Sequence, residues 1–552
     1  MATLLEFAEV CEKIKSTTSK NQKVSVLANY LLKLSRNELP IACRLLTSKV
    51  FPPWDTRAVN ISYSTISDAI KEITEVSEDK LKATYIKYGD LGEAAEELMK
   101  GKKITTLIQN TLTLQDVYSA LDTAASKKGE GATEVRLRVL KGLLALCSPI
   151  EAKYLVKVLC GEMRIGLDEG LLEEALAAAY GRSLKQVREA GLIVADIGES
   201  ALVALDGNFD AVKLSVFHPT NFMLAEEMSS PQEVADYFRC DLYAEYKYDG
   251  VRAQIHSSGK EVRIFSRRLE DVTNSFPEFS KPFSDKAVIL DGEIVPYKDA
   301  PLPFQMLQRR LHRKEITKEL LEETPVVYFA FDILYYNGET YISRPLRERR
   351  IILEGLNLQP PLYYANQIKV KLKEDIEEAF EASLKLGYEG LVIKHPDSVY
   401  TPGKRGKKWV KLKKELATLD VVIVAAEYGH GKRAGVLSDY TFAVKSEDGL
   451  KVIGKAYSGL TDKEIDEMTK ILSAITVKDL GHLKIVEPKI VLEVAFNNIQ
   501  KSNRHSSGYA LRFPRIKRVR WDKNVDEIDT IDKVKEIYEI QAYKKMLYQK
   551  CS

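Results

Sequence analysis

The chain has 552 residues, with 82 Lys+Arg against 79 Asp+Glu, a formal net charge of +3, 45% hydrophobic and 29% charged residues. At about 100–200 residues per domain this length suggests three domains, each able to bury its own core, and it excludes a single small domain. The composition excludes a disordered or collagen-like chain. A charge so near balance names no partner, and any basic surface must come from local clustering.

Apolar runs such as Val421–Ala426 fall far short of the roughly 18 residues of a membrane-spanning helix. The start, Met1–Glu9, is acidic and patterned like an amphipathic helix, without the basic region and cleavage site of a secretory signal, so a cytoplasmic location is expected. Cysteines 11, 43, 147, 160, 240 and 551 form no C-x-x-C pair. They read as reduced, unpaired thiols, and the scattered histidines argue against a His-based metal site.

Residues 1 to about 213 read as consecutive helices; Leu171–Tyr180, with apolar residues at helical spacing, is typical. After His218-Pro219 the pattern changes to short alternating strands: Tyr243–Lys247, Val251–His256 and, after a Ser-Ser-Gly turn, Glu261–Ser266. A helix is predicted over Leu372–Leu386, before strands near Leu391–Lys394 and Trp409–Lys413. From Leu419 five strands are predicted, Leu419–Glu427, Tyr440–Lys445, Lys451–Tyr457, Ile490–Phe496 and Ile516–Trp521, with a helix over Asp462–Ala474 between the third and fourth. Five strands and a helix suit a small Greek-key barrel of the oligonucleotide-binding (OB) type. The tail, Thr530–Lys550, returns to helix. The domains expected are 1–213, all α; 214–417, α+β on antiparallel sheet; and 418–552, a β-barrel OB-fold with a C-terminal helix.

The segment that carries chemistry is Glu245-Tyr246-Lys247-Tyr248-Asp249-Gly250-Val251-Arg252. A lysine ends one strand and Asp-Gly turns the chain into the next, which holds the amine at a rigid sheet rim. An ordinary lysine, with pKa near 10.4, attacks only when desolvation or neighbouring cations lower that value, and nearby lysines are expected to do so. Alone, K-x-D-G is a weak signal and a surface hairpin is the favoured reading. Downstream come Asp291-Gly292-Glu293, Phe331-Asp332, Glu389-Gly390-Leu391-Val392-Ile393-Lys394 and Lys408-Trp409-Val410-Lys411-Leu412-Lys413, each setting polar groups in an apolar strand. Lys411 and Lys413 share a strand face. Glu389 and Lys394 are an odd number apart and would not, unless Gly390 relieves the alternation.

Taken in order, K-x-D-G, D-G-E, F-D, E-G-x-x-x-K and W-x-K-x-K resemble the motif set of the covalent nucleotidyltransferases. The ending Arg520-Trp521-Asp522-Lys523 resembles the R-x-D-K motif of ATP-dependent DNA ligases, and Glu151–Leu155 with Gly161–Leu167 resembles the helical DNA-binding domain of the archaeal type. The resemblance covers essentially the whole chain.

It implies a reaction in three steps: a lysine-AMP phosphoramidate forms from ATP, AMP passes to the 5′-phosphate of a nick in duplex DNA, and the 3′-hydroxyl expels it. Lys247 matches the adenylated lysine, Glu245 the carboxylate that reads the adenine amino group, Phe331 the aromatic stacked on adenine, and Glu293 the carboxylate at the ribose. Arg252 and Arg267 match contacts to nucleotide or nick phosphate. Glu389, with Glu293, matches a ligand of Mg²⁺ (or Mn²⁺), and Lys394, Arg405, Lys411 and Lys413 surround the phosphates. Arg520, Asp522 and Lys523 match groups that orient the pyrophosphate, which requires the barrel to rotate between steps about a hinge near Glu415–Leu419. The implied roles are replication, repair, recombination and cell division, by a monomer associated with the nucleoid.

Taken individually, Phe331 reads as core, and Arg267-Arg268 and Lys404-Arg405 as solvated turns. Gly429–Arg433 lacks P-loop spacing and reads as a loop. Lys127–Gly131 and the Arg164 turn are candidate DNA-backbone contacts. Where archaeal relatives carry a sliding-clamp peptide, this chain has Lys102–Leu107 without its glutamine and paired aromatics, so clamp binding is not indicated. An RNA ligase or a capping guanylyltransferase leaves the long helical region unexplained, an NAD-dependent ligase would bring a four-cysteine zinc module, and an inert DNA-binding scaffold would have lost pocket residues.

Overall fold

In a computed structural model of the chain, residues 1–550 are described apart from 56, 58, 60, 103–110, 128, 130, 312, 314, 315, 415, 416, 430–432 and 434; the side chains of 305 and 541–550 are also left aside. Most of the Lys102–Leu107 segment, parts of the Lys127–Gly131 and Gly429–Arg433 loops, the first two hinge residues and Cys551 therefore lie outside the described residues. Two compact units result, Met1–Leu412 and Lys413–Ser552.

In the first unit, twelve α-helices run from Leu4–Lys15 to Ile197–Asp206. Local sequence sets their ends: Thr3, Thr113 and Ser148 begin helices with reciprocal capping boxes, Gly161 ends the helix that Ser148 begins, and Gly207 ends Ile197–Asp206, both glycines in the left-handed conformation. Their apolar faces close one core containing Phe7, Leu27, Leu46, Ile70, Leu121, Tyr154 and Leu172. The five cysteines described are all free.

Two sheets follow in the same unit. One orders its strands Leu224–Met228, Arg405–Lys413, Gly390–Lys394, Leu242–Tyr246, Gln367–Val370; the other is built on Glu261–Ser266, Val251–Ser258, Val288–Lys298 and Val326–Tyr336. Pairing is mainly antiparallel as expected, but the Leu224–Met228 edge pairs in parallel with Arg405–Lys413, and Leu362–Tyr364 pairs in parallel with Val326–Tyr336. Returning strands from far along the chain make such pairs, which local alternation does not register. The helix predicted over Leu372–Leu386 is Lys373–Lys385. Helical region and sheets meet where Trp54, Ala195, Phe222 and Leu269 pack together and where Thr220 and Asn221 bond the Leu192 carbonyl.

In the second unit the five predicted strands appear as Ala417–Tyr428, Leu437–Ser446, Gly449–Ala456, Val491–Phe496 and Arg515–Val519, with Asp462–Ala474 as the inserted helix and Ile531–Lys550 as the tail. Four further strands were not expected: Thr476–Asp479, Leu483–Val486, Asn498–Lys501 and Tyr509–Arg512. Each is four residues long, too short to establish an alternating pattern. The pairings described form an open, branched sheet, not a closed ring of strands. Its core gathers Leu419, Val421, Phe442, Ile453, Leu472, Val494 and Phe496.

Candidate active site

Lys247 stands one residue past the Leu242–Tyr246 strand, so that strand ends a residue earlier than the sequence suggests, but the backbone pairing continues. The Lys247 N–H donates to the Gly390 carbonyl at 2.8 Å, and the Lys247 carbonyl accepts from the Glu389 N–H at 3.0 Å. Ser383, fully buried, donates its hydroxyl to the same Gly390 carbonyl at 2.5 Å. The following turn leaves no room at Gly250, where a Cβ would lie 2.2 Å from the Ile294 carbonyl. The two backbone bonds to Glu389-Gly390 and the tight turn at Gly250 thus fix the root of the side chain.

The amine tip meets carboxylates. Lys247 Nζ lies 2.5 Å from Glu389 Oε2. Burial pushes the Lys247 pKa down, but the negative charges of Glu389, Glu293 and Asp249 outweigh it, and the value is raised above that of an ordinary lysine. The expected depression by neighbouring lysines is not found, because the charged groups around the amine are carboxylates. Lys394, the lysine of the E-G-x-x-x-K motif, is held by another carboxylate: it is 1% exposed and its Nζ sits 2.5 Å from Glu245 Oε2. Burial raises the Glu293 carboxyl to about 7, against the pull of Lys247 and Arg252.

Gly390 explains the spacing of Glu389 and Lys394. Its φ of +136° is open to glycine and strained for other residues, and a Cβ there would be 2.2 Å from the Leu412 carbonyl. Glu389 lies just before the Gly390–Lys394 strand, and the irregular glycine turns it onto the Lys247 side. Glu245 and Lys247, two residues apart, receive Lys394 and Glu389 respectively.

Glu245 is buried, and its second oxygen accepts from the Gln367 amide at 3.2 Å. Phe331 is half-buried with its ring centroid 4.4 Å from Lys394 Nζ and 5.2 Å from the Arg252 guanidinium. Arg252 donates to both oxygens of Asp291, at 3.1 and 2.7 Å, and to the Met223 carbonyl at 2.7 Å. Its guanidinium thus borders the pocket but is spent on a buried carboxylate. Glu245, Lys247, Arg252, Glu293, Phe331, Glu389 and Lys394 are brought together.

Arg267 is exposed on the turn after Glu261–Ser266 and lines a cavity of about 330 Å³ shared with Leu192, Ala195 and Gly403. Arg405 opens its strand, exposed; Lys411 pairs with Glu227 at 3.0 Å; Lys413 is exposed at the start of the second unit. In that unit, Arg520 pairs with Asp522 at 2.7 Å and with Asp420 at 3.1 Å, and Lys523 pairs with Asp420 at 2.7 Å.

Sequence reasoning assigned no part to several residues here. Asp291 holds Arg252 and accepts the Tyr400 hydroxyl at 2.8 Å. Asp332, of the F-D motif, is fully buried against Arg349, with N–O distances of 2.7 and 2.8 Å. Tyr248 stacks on Phe329 at 4.3 Å between ring centroids. For the two aspartates a signal existed, since a carboxylate in an apolar strand requires a buried partner. Tyr248 had none beyond its place in the motif.

Comparisons with known proteins agree along the whole length. A family described as DNA ligase N terminus matches residues 3–205, the ATP dependent DNA ligase domain matches 222–413, and the ATP dependent DNA ligase C terminal region matches 433–523. A relative named probable DNA ligase, from Koribacter versatilis, is 42% identical over 98% of this chain and 97% of its own length. The DNA ligase of Archaeoglobus fulgidus is 37% identical over 97% and 98%. The chain belongs to the ATP-dependent DNA ligase family. Among solved structures, Pmar-Lig_PreS3 covers 93% of this ligase chain with a TM-score of 0.55 at 16% identity, a likeness of fold.

Proposed function

We propose that Lys247 is the nucleophile with which this ligase takes AMP from ATP before sealing a 5′-phosphate/3′-hydroxyl nick in duplex DNA. The observation that carries the reading is the convergence of Glu389 and Glu293 on one half-buried amine at a fixed sheet rim. Lys247 Nζ attacks the α-phosphorus as the neutral amine, the N–P bond forms as the P–O bond to pyrophosphate breaks, and the protons the amine sheds leave to water or to the departing pyrophosphate.

The raised pKa of Lys247 implies that the amine is freed only when its carboxylates are engaged by something else. Two carboxylates suit a hard divalent cation, which usually takes one or two from protein and the rest from phosphates and water. Among the described residues no group of three His, Cys, Asp or Glu is arranged to hold a metal by itself. Glu293 and Glu389 would therefore hold Mg²⁺ or Mn²⁺ together with the nucleotide. When bound, the cation supplies positive charge to the phosphates.

Glu245 and Phe331 are assigned to the adenine, Arg252 and Arg267 to nucleotide or nick phosphate, and Lys394, Arg405, Lys411 and Lys413 to the phosphate path. Arg520, Asp522 and Lys523 are assigned to the pyrophosphate. The C-terminal sheet is read as an OB-type barrel that rotates between steps, and the domains as 1–213, 214–417 and 418–552. A monomer in the cytoplasm, associated with the nucleoid, fits these assignments; no described helix is long and apolar enough to cross a membrane.

The test is a two-stage labelling experiment: α-labelled ATP with Mg²⁺, removal of free nucleotide, then a chase with nicked duplex DNA, beside Lys247→Ala. Label on wild type, released with sealing of the nick and lacking in the variant, supports the assignment. Equal labelling of the variant would place the nucleophile elsewhere.

A further inference from the structure

Arg520 and Lys523 follow the Arg515–Val519 strand on a segment whose outer members, Trp521 and Asp522, are exposed. Long cationic side chains lose rotamer freedom when fixed, so a segment that must present two of them together benefits from a partner that fixes both beforehand. Asp420 is placed to do this. It accepts from Arg520 Nη1 at 3.2 and 3.1 Å and from Lys523 Nζ at 2.7 Å, with its carboxylate only 13% exposed against 66% for Asp522. Asp420 is itself fixed by reciprocal bonds to Asp529: its N–H donates to Asp529 Oδ2 and its carbonyl accepts from the Asp529 N–H, both at 2.8 Å. It lies outside the segments matched by the central and C-terminal family models.

We propose that Asp420 is a positioning residue for self-adenylylation: it holds Arg520 and Lys523 together in an arrangement in which both can meet the pyrophosphate. Asp522 already neutralises Arg520 with bonds of 2.9 and 2.7 Å, so charge balance alone does not require Asp420. What Asp420 adds is the link between the two cations. The inference rests on the assignment of Arg520 and Lys523 to the pyrophosphate.

The test compares full-length wild type, Asp420→Asn and Asp420→Glu in two assays: the rate of lysine-AMP formation at saturating ATP and Mg²⁺, and the sealing of a nick supplied already adenylated. Asp420→Asn should slow lysine-AMP formation by about tenfold or more, the loss of one charge-assisted link, and leave sealing of the adenylated nick within about twofold. Asp420→Glu should recover part of the first rate. Equal loss in both assays would make Asp420 a purely structural residue, and no loss in either would make the link idle; each overturns the proposal. If Arg520→Ala and Lys523→Ala form lysine-AMP as fast as wild type, the assignment beneath it fails first, which separates the two failures.

Discussion

His256 is fully buried on the Val251–Ser258 strand that follows the Lys247 turn, where its Nδ1 accepts the Phe217 N–H at 2.9 Å and its Nε2 faces Gln254 Oε1 at 3.3 Å. Burial, with the charges of His218 and Arg263, lowers its pKa to about 3. The unfolded chain therefore binds a proton below about 6.5 that the folded chain refuses, and His256 costs up to about 1.4 kcal/mol per pH unit as pH falls through that window. Its contribution is fully present above pH 6.5. Thermal unfolding of wild type and His256→Gln between pH 4 and 8 should give curves that approach each other as pH falls; parallel curves would mean that His256 titrates normally. Arg349 and Asp332 form the other exposed weakness at this scale, since both side chains are 0% exposed. Arg349→Met strands a buried carboxylate and should cost about 3–5 kcal/mol in denaturant unfolding, with loss under about 1 kcal/mol telling against an uncompensated charge.

Between elements, the site depends on backbone fit. Gly390→Ala would place a methyl group 2.2 Å from the Leu412 carbonyl at a φ of +136°. Strain of about 1–3 kcal/mol, plus the clash, should lower the melting temperature and abolish lysine-AMP formation together, because the same residue pairs with Lys247 and turns Glu389 toward it. A variant that labels normally would show that Glu389 can reach Lys247 by another backbone path. This element also marks what the sequence made legible. The order of motifs located Lys247, Glu245, Glu293 and Glu389, and the alternation rule flagged the Glu389–Lys394 spacing as irregular with Gly390 as its relief. The charge around the amine was not legible, because it is set by which strands lie side by side: Glu389 is 142 residues from Lys247, and Lys394 spends its charge on Glu245. The same limit hid the parallel Leu224–Met228 edge, whereas long helices such as Leu372–Leu386 were read nearly to their ends because 3.6-residue periodicity is a local property.

At the scale of the whole molecule, hydrophobic cores divide the chain as the compact units do. The core of Leu419, Phe442, Ile453 and Phe496 belongs wholly to the second unit, and the helical core around Phe7 and Tyr154 wholly to the first. Separate cores can unfold separately, and a multidomain chain need not melt in one step. Phe442 is fully buried, beside Gly454, where a Cβ would already sit 3.1 Å from its ring. Phe442→Ala should destabilise the second unit by about 3–5 kcal/mol while leaving the first untouched. Hydrogen exchange read segment by segment should then show faster opening of Ala417–Tyr428 and Leu437–Ser446, with Val251–Ser258 and Tyr63–Thr74 unchanged. If Arg520 and Lys523 of the weakened unit serve lysine-AMP formation as proposed, that reaction should fail at a lower temperature than the sheet beside Lys247 unfolds. If exchange accelerates equally in both units, they fold as one cooperative body and the division of cores has no thermodynamic counterpart.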